Sequence, residues 1–186
     1  MVKDEDLTGK TPDALLVRRA RDGDSRAMDL LVRRHHGVVY RVAFSVLGDR
    51  DGAQDVAQDT FLKAFRGLSG FRGDAAFRTW LITIATNEAR GVLRRRVRRR
   101  EIALDEASPL AERGPDPAER SVVADEARRA LRLLERLPEK QRLAVTLRVQ
   151  EGLSFREIGD AIGSSEGAAR VNYFHGIRRL KEWMDA

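Results

Sequence analysis

Arg170, Asn172 and His175 follow Ser165 closely, at and just beyond the end of a stretch from Leu153 to Arg170 that has the pattern of a helix-turn-helix. An arginine fork pairs with guanine O6 and N7, and an asparagine amide pairs with adenine N6 and N7. Arg178, Arg179 and Lys181 lie further along and suit phosphate contacts. A second group, Arg94, Arg95, Arg96, Arg98, Arg99 and Arg100, is denser in cations than a helix end needs for its dipole, and so points to phosphates. Just upstream, Phe71 sits in a glycine-flanked loop ahead of Phe77 and Trp80. Aromatics beside arginine suit stacking on unpaired bases, although rings at helical spacing are commonly core. Asn87 adds an amide able to read a base edge. The third group, Asp51, Asp55, Gln58 and Asp59, is acidic. Turning it to DNA gains nothing, so it is either plain surface or a docking site for a basic protein.

The elements that position these residues are helical. Ala27, Leu30, Leu31, Val38, Val42, Phe44, Val46 and Leu47 recur at helical spacing, and Gly48 is a stop. A helix from about Asp51 to Arg66 turns Val56, Thr60, Phe61 and Ala64 inward, and Gly67 ends it. The next carries Phe77, Trp80, Leu81, Ile84, Ala85 and Leu93 and is expected to close on the arginine run. Residues 101–119 change character, with Pro109, Gly114, Pro115 and Pro117 and six acids against one base. They read as an acidic linker, which divides the chain into residues 1–100, 101–119 and 120–186.

In the last part, Val123, Ala127, Ala130, Leu131, Leu134 and Leu137 predict one helix. Pro138 opens another, which carries Leu143, Ala144, Leu147 and Val149. Ser154 to Glu157 matches a capping box, Gly163 supplies the turn, and Ser165 caps a final helix reaching about Trp183. Spacing gives that helix a buried stripe of Val171, Phe174, Ile177 and Leu180. Glu166, Ala169, Arg170, Asn172, Tyr173 and His175 are left on or near its free face.

Composition narrows the function. The net charge is +6 over 186 residues, which favours a polyanionic partner. The absence of cysteine excludes disulfides and thiolate chemistry, and the three histidines show no metal-ligand spacing. No cofactor is expected. The acidic N-terminus is unlike a signal peptide and no apolar run is long enough to span a bilayer, so the expected place is the cytoplasm. No catalytic grouping and no phosphate-cradling glycine loop stands out.

The segments Asp55 to Phe65, Phe71 to Asp74 and Phe77 to Leu81 resemble region 2 of bacterial sigma factors. Leu137 to Arg142 and Gly152 to Ile158 resemble region 4. With these two regions and a short linker, the chain is similar to the extracytoplasmic-function group from about Ala14 to Trp183. The resemblance implies an all-α fold of two small helical domains, and a transcription initiation factor with no catalysis of its own. It implies that Asp55, Gln58, Asp59 and Phe61 dock on the β′ clamp helices of core RNA polymerase, with the β flap as a further contact. Phe71, Trp80, Asn87, Arg90, Arg94 and Arg95 would then hold an opened −10 element of promoter DNA. Ser165, Arg170, Val171, Asn172, Phe174, His175 and Arg178 would read a −35 duplex, which moves Phe174 from core to groove. The acidic linker would thread towards the RNA path, and an anti-sigma factor would sequester the free chain. Two departures bear on the promoter sequence: Ala168-Ala169 stands where the family often has Thr-Val, and Gly91 interrupts the base-reading helix. The alternatives are a stand-alone helix-turn-helix regulator and an RNA-binding protein that uses the arginine run.

Overall fold

In a computed structural model, residue 7, residues 9–105, residue 129 and residues 132–185 are described, the side chains of residues 100–105 excepted. The helices are α1 (Asp13–Arg21), α2 (Ser25–Leu47), α3 (Arg50–Arg66), α4 (Phe77–Asp105), α5 (Glu139–Val149), α6 (Phe155–Ile162) and α7 (Glu166–Met184). A 3-10 turn, Leu68–Gly70, links α3 to the loop before α4, and residues 132–135 are helical ahead of Pro138. There is no strand among the described residues.

Local chemistry sets the helix ends. The Asp24 carboxylate accepts from the amides of Arg26 and Ala27 at the start of α2, and Asp49 does the same for Gly52 in α3. The α2 helix stops at Gly48, whose φ of 67° is a left-handed cap that favours glycine. The first helices then fold into a bundle, in which α2 packs against both α3 and α4 while α1 lies along α2. Leu31, Val39, Val42, Val56, Leu81 and Ile82 are fully buried there. Burying each of these side chains is worth about 1.5–3 kcal/mol.

The C-terminal helices α5, α6 and α7 form a second bundle around Leu143, Leu147, Ile158 and Ile162. The two bundles touch. Helix α6 lies on α4 and α5 lies on α2, so the buried apolar side chains of both form one continuous cluster.

Three expectations change. Helix α4 runs on to Asp105, five residues into the stretch read as linker. Residues 106–119 lie outside the described residues, as do Val123, Ala127, Ala130 and Leu131 of the helix expected before Pro138. The arginine run is therefore interior to α4, and compensation of the helix dipole does not explain it. Val149, expected to face inward, is 63% exposed at the end of α5.

Candidate nucleic-acid and protein interfaces

The α6–α7 corner is built by two caps and two glycines. Ser154 accepts from the Glu157 amide at 3.2 Å, and the Glu157 carboxylate accepts from the Ser154 amide at 2.9 Å, so the expected capping box is present. These bonds, the backbone amide of Ser154 first, hold the Glu157 carboxyl below the usual glutamate range despite the opposing effect of burial. Gly163 ends α6 at φ 65°. Gly159 lets the turn close: a Cβ there would sit 2.8 Å from the Ser164 carbonyl oxygen. Ser165 then caps α7 by accepting from the Ala168 amide at 3.2 Å.

The face that α7 presents differs from the spacing reading. Val171 and Phe174 are 54% and 59% exposed, while Ala169 is fully buried. Gly176 is buried against α5, where a Cβ would meet Val145 Cγ2 at 2.7 Å. The helix thus seats on small residues at close range, which rotates the large apolar ones outward. Ile177 and Leu180 are half-buried. Arg170, His175 and Arg178 are exposed beside Phe174. Asn172 is half-buried, and its amide donates to the Ala168 carbonyl at 2.8 Å. Arg170 lies over the Phe155 ring at 5.2 Å and pairs with Glu166 at 3.0 Å, so its guanidinium is held at the helix start. Phe155, absent from the sequence-based site, is this platform, with Tyr173 and Phe174 packed around it.

On α3, Asp55, Gln58 and Asp59 are exposed along one face. Phe61, assigned to this docking face, is instead 5% exposed and packs inward beside Phe65. The helical period explains this: Phe61 lies one turn from the buried Ala57, whereas Leu62 continues the line of Asp55 and Asp59. Leu62 is 47% exposed and is the apolar member of the face.

Ahead of α4, Phe71 is half-buried rather than free in its loop. Its ring centroid is 4.9 Å from Trp80 and 5.8 Å from Phe77, and its carbonyl accepts from Arg21 at 2.6 Å. Asn87, Arg94 and Arg95 are exposed and share a helical face. Arg96 pairs with Asp49 at 2.6 Å, which ties the arginine run to the start of α3. Arg90 is engaged elsewhere: Nε donates to Glu139 at 2.5 Å and Nη1 to the Ile162 carbonyl at 3.0 Å, both in the C-terminal bundle.

Comparison with known proteins places this arrangement. Residues 31–99 match Sigma-70 region 2, and residues 127–180 match Sigma-70, region 4. The chain is 37% identical over 181 residues to the RNA polymerase sigma-H factor of Pseudomonas aeruginosa, covering 93% of this chain and 92% of that protein. It belongs to the sigma-70 family, in the extracytoplasmic-function group. The ECF RNA polymerase sigma-E factor of Escherichia coli K12 is 36% identical over 187 residues, covering 96% of this chain and 95% of that protein.

Among solved structures, CnrH in complex with the cytosolic domain of CnrY superposes with a TM-score of 0.70 at 26% identity, over 93% of this chain and 97% of that one. The sigma factor RpoE of Bartonella quintana shares the fold, with a TM-score of 0.69 at 22% identity over 85% of this chain and 96% of that one. The chain is accordingly a promoter-specificity factor of RNA polymerase, and the stand-alone regulator is not favoured. No helix among the described residues is long and apolar enough to cross a membrane.

Proposed function

We propose that this sigma factor docks on the β′ clamp helices of core RNA polymerase through Asp55, Gln58, Asp59 and Leu62, and reaches the β flap through its C-terminal bundle. It acts in the cytoplasm and carries out no catalysis of its own. The α7 helix reads the −35 duplex, with Arg170 on a base edge, Val171 and Phe174 as apolar contacts, and His175 and Arg178 alongside. Asn87 reads the opened −10 strand while Arg94 and Arg95 hold its phosphates. Phe71 and Trp80 support that site as a packed aromatic pair.

The observation that carries the docking assignment is the α3 face. Three exposed polar or acidic residues and an exposed leucine share one side of a helix whose opposite side is buried through Val56, Ala57, Thr60, Phe61 and Ala64. Such a surface repels DNA and suits a basic, partly apolar protein groove. An anti-sigma factor is a further proposed partner, supported by the whole-chain likeness to CnrH as captured with the cytosolic domain of CnrY.

The test is co-elution with core RNA polymerase on size exclusion, wild type beside Asp55→Arg/Asp59→Arg. Co-elution of the wild type and its loss in the variant, with helical content unchanged, is the expected result. Co-elution of both would remove the docking site from α3.

A further inference from the structure

We propose that Glu166, the first residue of α7, is a specificity-determining residue: its carboxylate accepts from the amino group of a cytosine in the major groove, at the base pair beside the one Arg170 reads. The proposal rests on the reading of α7 as the helix that meets the −35 duplex.

The tip of α7 leaves little else to touch a base. A helix-turn-helix meets base edges with the N-terminal residues of its second helix. In the first turn Gly167 has no side chain, and a Cβ there would meet nothing within 4 Å. Ala168 is half-buried and Ala169 is fully buried. The Ser165 hydroxyl is engaged as the cap, accepting from the Ala168 amide at 3.2 Å. The long polar side chains at this tip are Glu166 and Arg170, 53% and 56% exposed.

Charge decides which partner the carboxylate suits. Arg170 beside it and Arg178, Arg179 and Lys181 further along are exposed cations, as phosphate contact demands. A carboxylate among them is repelled by every phosphate it approaches, so against DNA it gains only where it meets a donor. In the major groove the base-edge donors are the amino groups of cytosine and adenine, and a carboxylate pairs with cytosine N4. A negative charge in the first turn also complements the helix dipole. That second role is indifferent to base sequence, which lets an experiment separate the two.

Geometry places the contact. Arg170 Nη2 lies 3.0 Å from Glu166 Oε1, close to the rise of about 3.4 Å between successive base pairs. The two tips therefore meet neighbouring pairs, a donor beside an acceptor. Their own bond joins one guanidinium nitrogen to one carboxylate oxygen. Phe155 lies under the Arg170 guanidinium at 5.2 Å and supports it from another helix. Arg170 thus has a platform of its own, and Glu166 serves as more than its buttress.

The test is selection from a pool of duplexes, each with a randomised stretch long enough to hold both promoter elements. The full-length chain in complex with core RNA polymerase captures duplexes, which are then sequenced. Wild type is run beside Glu166→Ala, Glu166→Gln and Arg170→Ala, with helical content checked for each. In the wild type a G·C or C·G pair is expected directly beside the guanine whose enrichment Arg170→Ala removes, favoured about tenfold over A·T. Glu166→Ala should abolish that preference and leave the Arg170 guanine in place. Glu166→Gln should move the same position towards A·T, because an amide pairs with adenine N6 and N7.

A wild-type motif retained in both Glu166 variants would overturn the proposal. So would an equal change in capture of all duplexes, the mark of a dipole or repulsion effect. Loss of the Arg170 guanine instead of its neighbour would overturn it too, by making Glu166 a positioning residue. These results leave the −35 reading of α7 intact. A wild-type motif that Arg170→Ala does not alter would instead remove that reading, and the proposal with it.

Discussion

Helices α7 and α4 carry the two surfaces assigned to promoter DNA, and they are built in opposite ways. The α7 surface is already presented: Ala169 and Gly176 are buried, Gly176 against α5, and Val171 and Phe174 are exposed. The α4 surface is partly occupied from within, since Phe71 and Trp80 pack together and Arg90 is bound by the other bundle. The difference follows from what each side holds. Duplex DNA presents a rigid groove that a preformed helix can meet, whereas an opened strand has to be captured after the duplex parts. The first surface gains from being ready and the second from being withheld.

The largest expected effect separates the α7 surface from the polymerase-docking face of α3. Gly159→Val pushes side-chain carbon into the Ser164 carbonyl and the turn behind it, and should destabilise the C-terminal bundle by about 3 kcal/mol. Duplex binding should disappear in a gel-shift assay while Asp55 and Asp59 remain exposed for polymerase docking. Loss of both activities together would mean that the surfaces are not independently built.

Next in size is Arg170→Ala, expected to remove about 1–3 kcal/mol of discrimination at one base pair of the −35 element. Arg178→Ala should instead weaken all duplexes alike and lower the salt slope by about one phosphate contact. Titrations of matched and mismatched duplexes at several salt concentrations distinguish these outcomes. Equal losses on every sequence for Arg170→Ala would make it a phosphate contact.

Phe155→Leu sharpens the comparison further. It keeps an apolar side chain but removes the ring beneath Arg170, an interaction of about 0.5–1 kcal/mol. The expected signature is a small loss of duplex discrimination, with polymerase co-elution unchanged.

The smallest effect is a pH dependence carried by Glu157, which caps α6 and accepts from Thr79 of α4. The folded-state pKa of Glu157 is lowered, so its stabilising contribution is complete above the ordinary glutamate range. It fades as the pH falls through that range towards the lower folded value. Thermal melts of wild type and Glu157→Gln should therefore differ at neutral pH and converge in acid. A constant difference at all pH values would remove the capping carboxylate from the account.

Much of this was legible in the sequence because the signals are local. Ser154 with Glu157, Gly48, Gly163 and Ser165 mark helix ends by chemistry acting within four residues, and the structure has them there. The inward positions of α3 also followed from spacing. The buried stripe of α7 did not, because a search for large apolar residues passes over a helix that seats on alanine and glycine. Spacing has Phe61 inward, as it is, and the family resemblance alone moved it to the docking face, where Leu62 lies on the exposed line of Asp55 and Asp59. Arg94 to Arg100 looked terminal because nothing local distinguishes a helix end from a helix that continues into Glu101 to Asp105. The buried Glu151 carboxylate, which accepts from Arg78 and Arg41, had no local signal at all, since these partners lie 73 and 110 residues away in sequence.

The central claim is that one chain reads two separated elements of a promoter for RNA polymerase. The most direct measurement is transcription of fragmented genomic DNA by core polymerase, with and without the full-length protein, followed by sequencing of the RNA 5′ ends. The account predicts start sites that depend on the protein and share two sequence blocks, centred near −10 and −35 at a fixed spacing. Start sites unaffected by the protein, or a single palindromic block in place of the pair, would contradict it.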